Sequence, residues 1–527
     1  MKQDQPGPRN DNQAQDESGP GLIELRVFES RVAAICETMG AVLKRSAFSP
    51  NIRDRLDFSC ALFSADGRLL SQATHIPVHL GSMAWAMRDL VERFDWQPGS
   101  RLILNDPYAG GTHLPDVTVI APVFVSDNCV GFVANRAHHA DIGSATPGSM
   151  PLSRSLEDEG VLIRPQWLYR DDDLDCEVLD RICAEMRNPH LAAGDFQAQV
   201  AASAFGERAF GALVEELGRE RLQHLATALN DYAARLAAAS MRELPEGRWQ
   251  AEDRMDCDGA GGEGPVIRLE LRARDGAIAV DFAGTDAQVA GNLNCPMSVT
   301  AAGVYYALRC LLPDETPTCA GALDCMQLRA PEGSLVNARS PAATAAGNVE
   351  TSQRIVDVVL RALSAALPGR IPAASQGTMN NLGLGGARWS YYETMAGGCG
   401  AAADVPGRHA VHSHMTNTLN TPAEVLEMHF PLRIRRYQRR RGSGGPGACP
   451  GGDGLVREFE FLEPAQATLI TERRVYAPWG LDSGESGKPG RNLLDGEKLP
   501  AKISLEVEAG QILTIETPGG GGYGPEE

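Results

Sequence analysis

The chain has 527 residues, with 49 Lys and Arg against 68 Asp and Glu, and a formal net charge of −19 at pH 7. The acidic balance argues against a general nucleic-acid binder, because binding to phosphates depends on Lys and Arg. The 43% hydrophobic content excludes global disorder, and the 56 Gly and 33 Pro predict many tight turns inside a folded protein.

The N-terminal residues 1–21 are rich in Gln, Asp, Asn, Pro and Gly and lack the apolar core of a signal peptide. They predict a disordered leader. No apolar stretch of the chain approaches the roughly 20 residues that a membrane helix needs. The 12 cysteines are scattered without a CxxC pair. These features together predict a cytoplasmic protein with reduced thiols.

Helical and strand-like patterns alternate in the first half of the chain. Apolar residues at three- and four-residue spacing predict helices over 22–48, 82–94 and 196–240. Shorter apolar runs bounded by turn residues predict strands at 57–63, 69–70, 101–104, Val117–Val125 and Cys129–Ala134. A loop from Asn105 to Pro115 separates the third of these strands from the fourth, and the polar stretch Glu243–Trp249 is typical of a boundary.

Beyond that boundary the pattern alternates with a period of two at 266–272 and 277–282, which predicts antiparallel strands. Helices are predicted over 299–312 and 349–367, and the Gly-rich C-terminal stretch contains short strands such as Leu455–Leu462. The fold class predicted is mixed α+β, with helices weighted to the N-terminal half and turn-linked antiparallel strands in the C-terminal half. The domains predicted are the leader 1–21, a metal-site domain over 22–248 and an α+β domain over 249–527.

Residues able to bind metal or move protons concentrate around one predicted hairpin. His113 and Asp116 stand just before its first strand, and His138, His139 and Asp141 follow its second strand. If these strands pair, all five side chains lie at one end of a sheet. Imidazole and carboxylate ligands suit Zn, Mn or Fe, so the pattern predicts a divalent metal site. The alternative is that each His is a hydrogen-bonding loop residue, and we weigh the metal site ahead because the residues cluster.

Other polar groups carry weaker signals. His75 and His79 could support a metal site or form the polar side of a loop that enters a helix. The cluster His409, His412 and His414 suits either substrate recognition or bracing of loops, and the arginine-rich run 433–441 is either a phosphate or partner contact or a solvated face. The sequence contains no GxxxxGK[ST] motif and no GxSxG motif. Any ATP used in the reaction is therefore expected to bind to another chain.

Several longer motifs make the chain recognisable. In chain order they are DFSCA from Asp57, HIPVHLG from His75, NDPYAGGTHLPDVTV from Asn105, ANRAHHADIG from Ala134, GNVETSQRIVD from Gly347, AASQGTMNN from Ala373, HMTNTLNTPAEVLE from His414 and PWGL from Pro478. This series resembles the hydantoinase B/oxoprolinase family over nearly the whole chain, from about residue 22 onward. The Gly-rich run 442–454 and the loop 160–165 match the family pattern only loosely.

The resemblance implies an activity and a partner. Members act with a hydantoinase A-type subunit that binds ATP, and they open cyclic amides such as hydantoins and 5-oxoproline or carboxylate ketones such as acetone. It also implies that His113, Asp116 and His138 hold a divalent metal, with Asp57 as a fourth ligand. His139 and Asp141, which stand next to these ligands, are the candidates for proton transfer.

The leading hypothesis is the metal-bearing subunit of a two-component, ATP-dependent cyclic-amide hydrolase that assembles as a hetero-oligomer. Two alternatives stay open at this point. One is a subunit of a ketone carboxylase, and the other is a scaffold subunit whose metal only braces the fold.

Overall fold

A computed structural model describes residues 20–73 and 75–526. The predicted leader lies outside the described residues except for its last two positions. The mixed α+β class is confirmed, because helices and antiparallel sheets share the chain. None of the helices in the described part is long and apolar enough to cross a membrane.

Helices dominate the segment before residue 242. In chain order, α1 to α9 span Leu22–Ser46, Pro50–Arg53, Pro77–Arg93, Cys176–Ala184, Pro189–Leu217, Arg219–Met241, Met297–Arg309, Ser352–Ala366 and Ala423–His429. The turn Gly347–Thr351 is π-helical and leads directly into α8. Such π turns interrupt regular helices and are frequent at functional sites.

Within the described ranges, twenty strands form four sheets. In chain order, β1 to β20 span Phe58–Ser64, Leu69–Gln72, Arg101–Leu104, Asp116–Val125, Asn128–His138, Gln166–Arg170, Asp173–Leu174, Gly247–Arg254, Val266–Arg274, Ala277–Asp281, Met326–Arg329, Asn381–Gly385, Ser390–Glu393, Leu432–Arg439, Leu455–Phe461, Ala465–Ile470, Arg491–Leu494, Glu497–Leu499, Lys502–Val507 and Ile512–Glu516. Their spatial orders are β2-β1-β5-β4-β3-β6-β7, β11-β10-β9-β8, β13-β12-β16-β19 and β14-β15-β20-β17-β18.

The seven-stranded sheet is built around the predicted hairpin β4–β5. Its turn contains Ser126 and Asp127 at φ 47° and 62°, left-handed values that suit the tight turn predicted at this point. β5 runs four residues further than predicted, to His138, because it pairs with β1 on one edge and with β4 on the other. α1, α5 and α6 pack with this sheet in one apolar core.

Helix boundaries differ from prediction in two places that bear on the site. α3 begins at Pro77, so His79 is helical rather than part of a loop. The predicted helix 349–367 begins with the π turn, so its first residues do not continue the regular helix. A second core joins Ile76, Val78 and Met150 to apolar residues from β9, α7 and α8. The two-domain division at residue 248 stays a prediction.

Candidate metal centre

The β4–β5 register brings the predicted ligands together. Asp116 and His138 are direct cross-strand partners at one end of the hairpin, so their side chains share one face of the sheet. His113 comes one short turn earlier, in which the N–H of Asp116 donates to the carbonyl of His113 at 3.0 Å. The three side chains form the one group of His, Cys, Asp and Glu in the described ranges that could hold a metal ion.

The distances within this group fit a single small cation. Asp116 Oδ1 lies 3.1 Å from His113 Nε2 and 3.0 Å from His138 Nδ1, and the two imidazole nitrogens are 3.3 Å apart. Ligand atoms bound tetrahedrally at about 2.0–2.1 Å lie about 3.3 Å from one another. The relative exposures of 0%, 0% and 3% for His113, Asp116 and His138 leave the group closed from solvent.

A further set of groups orients the Asp116 carboxylate. Its Oδ2 accepts hydrogen bonds from Thr112 Oγ1 at 2.6 Å and from Asn348 Nδ2 at 3.2 Å, and it lies 3.1 Å from His79 Nε2. Outer partners of this kind fix a ligand's orientation and raise its basicity. His79 therefore takes the supporting role that the sequence left open.

The charges in the group favour an ionised carboxylate. Burial opposes ionisation of Asp116, but His113 and His79 hold the pKa of this carboxyl well below its ordinary value. Burial likewise disfavours a charged His113, yet the attraction of Asp116 raises the pKa of this imidazole. Burial lowers the pKa of His138, which keeps its ring neutral. A divalent cation would replace the proton shared between His113 and Asp116, because metal ligands bind in their deprotonated forms.

Residues from the C-terminal half cover His138. The ring of Tyr392 stacks on the imidazole with 4.6 Å between centroids, and the Tyr392 hydroxyl donates to Asn381 Oδ1 at 2.7 Å. The Nδ2 of Asn381 donates in turn to Glu350 Oε1 at 2.6 Å. His138 Nε2 is buried without a hydrogen-bond partner among the described residues, so no partner on that side fixes the tautomer of the ring.

Three of these surrounding residues lie inside the long sequence motifs, which by themselves assign them no role. Asn348 and Glu350 belong to the GNVETSQRIVD run and Asn381 to the AASQGTMNN run. Tyr392 stands in a short polar segment outside these motifs. Sequence separations of more than 200 residues from Asp116 leave no local signal for these contacts.

Asp57 lies beside the group without joining it. Its backbone carbonyl accepts from the N–H of His138 at 3.0 Å, while its carboxylate lies 3.9 Å from Arg55 Nη2. The role of Asp57 as a fourth ligand stays a prediction.

His139 and Asp141 point away from the three ligands. His139 stacks on Phe196 of α5, and its Nε2 lies 3.0 Å from Gln199 Oε1. Asp141 pairs with Arg187, accepting from the Arg187 N–H at 2.6 Å. Successive side chains along an extended chain point to opposite faces, which is why His138 and His139 separate. Their roles in proton transfer stay predictions.

The other polar signals resolve differently. His414 Nε2 lies 3.4 Å from Asp357 Oδ1, whereas His409 and His412 make separate contacts, so the three histidines do not form one group. The arginine-rich run is largely neutralised by ion pairs with Asp453, Glu458, Glu460 and Glu516. This supports a solvated face and leaves little net positive charge for a partner.

Comparisons with known proteins agree with the sequence motifs. The family profile described as hydantoinase B/oxoprolinase matches residues 22–526. An uncharacterized protein of Methanocaldococcus jannaschii is 39% identical over 95% of this chain and 90% of its own length. Arabidopsis thaliana 5-oxoprolinase 1 is 40% identical over 95% of this chain, which spans only 42% of that relative. A putative D-/L-hydantoinase subunit of Pseudomonas sp. strain NS671 is 30% identical over 95% of this chain and 90% of its own length.

Two solved structures share the fold. The ATP-dependent caprolactamase from Pseudomonas jessenii has a TM-score of 0.90 at 26% identity, covering 96% of this chain and 91% of that one. A nucleotide-free acetone carboxylase has a TM-score of 0.84 at 19% identity, covering 95% of this chain and 75% of that one. At that lower identity the likeness concerns the fold alone.

Proposed function

Since this chain belongs to the hydantoinase B/oxoprolinase family, we propose that it is the metal-bearing subunit of a two-component, ATP-dependent cyclic-amide hydrolase. Its substrate would be a cyclic amide phosphorylated by a hydantoinase A-type partner. The observation that carries the proposal is the buried His113–Asp116–His138 group. Relatives named for opening 5-oxoproline and hydantoin rings supply the reaction class.

The division of work follows from the chemistry of the amide. Resonance makes an amide carbonyl a poor electrophile, and phosphorylation of its oxygen removes that protection. The chain lacks a P-loop motif, and its length corresponds to about two fifths of the Arabidopsis relative. Both features support a partner that binds ATP and transfers the phosphoryl group.

The residues of this chain would hold and tune the metal. Two imidazole nitrogens and one carboxylate oxygen form the ligand set, and His79, Thr112 and Asn348 hold the second carboxylate oxygen in place. When bound, a cation in such a set polarises carbonyl oxygens and lowers the pKa of water. The buried surroundings strengthen these electrostatic effects because they exclude bulk water. The same donor types accept Zn, Mn and Fe.

Metal binding by this group has a direct test. Asp116→Asn keeps the shape of the side chain but removes its charge, so we expect the purified variant to lose bound metal by elemental analysis. The matched control is Asp141→Asn, because Asp141 follows the same hairpin but pairs with Arg187, and this variant should keep the wild-type metal content. Equal metal in both variants would contradict the proposed ligand set.

The reaction is tested with the purified chain, an A-type subunit, ATP and a cyclic amide. We expect ADP and the ring-opened acid in equal amounts. Labelled bicarbonate appearing in the product of a ketone would instead support the carboxylase alternative. His113→Ala separates catalysis from scaffolding: abolished turnover in an intact heteromer supports the proposal, and unchanged turnover contradicts it.

A further inference from the structure

A cavity of 340 Å³ opens on the other side of the strand end that carries His138. It is lined by residues 139–141, by α2, by the start of α5 and by the turn into β13. The volume lies within the range of about 300–1,000 Å³ typical of small-molecule sites. Its lining joins the metal group closely, because Asn51 of α2 donates to the carbonyl of His138 at 2.7 Å.

Most of the charged groups of the cavity already have partners. Arg53 binds Asp54 with two nitrogens at 3.1 and 3.0 Å, and Arg187 binds Asp141 and two backbone carbonyls. Arg388 lies at the rim and makes no ion pair or side-chain hydrogen bond with any described residue. The cavity therefore has one uncommitted positive charge.

A carboxylate on the opposite wall is only half used. Asp195 Oδ1 accepts from the N–H groups of Phe48 and Ser49 at 2.7 and 3.1 Å, while its Oδ2 has no hydrogen-bond partner in the described part of the chain. The Ser49 hydroxyl is buried and also without a partner there. These atoms offer hydrogen-bond acceptors for a donor on a ligand, because a carboxylate or hydroxyl oxygen accepts readily.

The remaining wall is apolar and accessible. Phe48 is 57% exposed and Leu191 41% exposed, and the rings of Trp389 and Phe430 lie 5.6 Å apart beside them. Exposed apolar groups that line a cavity with few polar groups are typical of ligand sites. The combination of a free cation, a half-used carboxylate and an apolar wall is complementary to a zwitterion with an alkyl body.

We propose that this cavity binds a linear amino acid, the ring-opened product of the reaction proposed above, with its carboxylate at Arg388 and its ammonium group at Asp195. The proposal rests on the proposed function for the identity of the ligand. In amide hydrolysis the C–N bond breaks, the water oxygen joins the acyl carbon, and both water protons end on the nitrogen. Every lactam opened in this way yields one carboxylate and one ammonium group on the same chain.

The test is calorimetric titration of the purified chain with ε-aminocaproate and glutamate, with caproate as the probe that lacks the amine. We expect saturable binding of at least one amino acid, and at least tenfold weaker binding to Arg388→Ala, because a charge-assisted hydrogen bond contributes about that factor. Arg235→Ala is the matched control, since Arg235 is also exposed and has no partner among the described residues, and it should bind like wild type.

Asp195→Asn tests the ammonium end. It should weaken binding of ε-aminocaproate and leave caproate unaffected, with the melting temperature checking that the variant folds. Absence of saturable binding, or equal binding to wild type and Arg388→Ala, overturns the proposal. If the probes bind but the assembled enzyme opens no ring, the proposed function fails and the assignment of an amino-acid site stands. If rings open without binding of the probes, only the assignment of the cavity fails.

Discussion

Glu350 shows how burial at a single residue couples this protein to pH. Its Oε1 accepts hydrogen bonds from Thr378 Oγ1, the N–H of Met379 and Asn381 Nδ2, while its Oε2 has no partner among the described residues. Burial, reinforced by Glu472, raises the pKa of Glu350 from 4.5 to about 8, against the opposing effects of Lys502 and Arg474. The folded protein therefore holds a proton at neutral pH that the unfolded chain releases.

The consequence is a stability that falls as pH rises. The contribution of Glu350 is complete below about pH 4.5 and is lost as pH passes through about 8. Glu350→Gln mimics the protonated acid, so its free energy of unfolding should gain on that of wild type by about 2 kcal/mol between about pH 5 and 7. Denaturant unfolding at several pH values measures the difference. Glu315→Gln, at an exposed position, should follow wild type, and parallel curves for Glu350→Gln would contradict the argument.

The site was predictable from sequence only where local rules applied. His113, Asp116 and His138 followed from one hairpin, because antiparallel pairing places the beginning of one strand beside the end of the next. The same alternation separates His138 from His139, which sequence proximity alone had grouped together. Tyr392 and Asn348 meet the group only through the tertiary fold, so no spacing in the sequence could reveal their contacts.

At the scale of elements, the four-residue helix α2 joins the metal region to the C-terminal half. Arg55, just after α2, is fully buried and donates to Asn51 Oδ1, to the carbonyl of Tyr392 at 2.9 Å and to Thr394 Oγ1 at 2.9 Å. Its guanidinium also lies 5.2 Å from the centroid of the Tyr392 ring. One side chain therefore links α2 to the strand that covers His138.

Replacing this arginine should cost far more than replacing its neighbour. Arg55→Met keeps the volume but leaves buried acceptors without donors, so we expect a loss of about 3 kcal/mol or more in the free energy of unfolding. Arg53→Met removes a side chain that is 40% exposed and pairs only with Asp54, and should cost less than about 1 kcal/mol. Urea denaturation of both variants measures the contrast, and similar losses would show that Arg55 does not act as a clamp.

The element boundaries explain what the hydrophobic pattern captured. The long amphipathic helices and the β4–β5 hairpin were predicted because their apolar spacing is regular over many residues. The start of α3 was missed because His75–Gly81 has too few apolar positions to show a helical period. The π turn was missed because its residues are all buried, so no polar face marks its change of geometry.

At the scale of the molecule, the metal group is assembled from both halves of the chain. Asn348 donates to Asp116 at 3.2 Å, Tyr392 stacks on His138, and the N–H groups of residues 344 and 345 each donate to Glu159 Oε1 at 2.8 Å. The predicted boundary at residue 248 falls inside β8, close to its start at Gly247. A natural break lies instead in the turn between α6 and β8.

Separating the chain there should separate folding from metal binding. A fragment spanning 22–245 would expose the face of the hairpin that residues 344–392 cover, so we expect it to bind no stoichiometric metal when expressed alone. Co-expression with a second fragment spanning 246–527 should restore both, because the contacts between the halves are buried and need no covalent link. Co-purification of the fragments followed by elemental analysis measures this. A metal-loaded 22–245 fragment would show instead that the N-terminal half folds by itself, as the sequence boundary predicts.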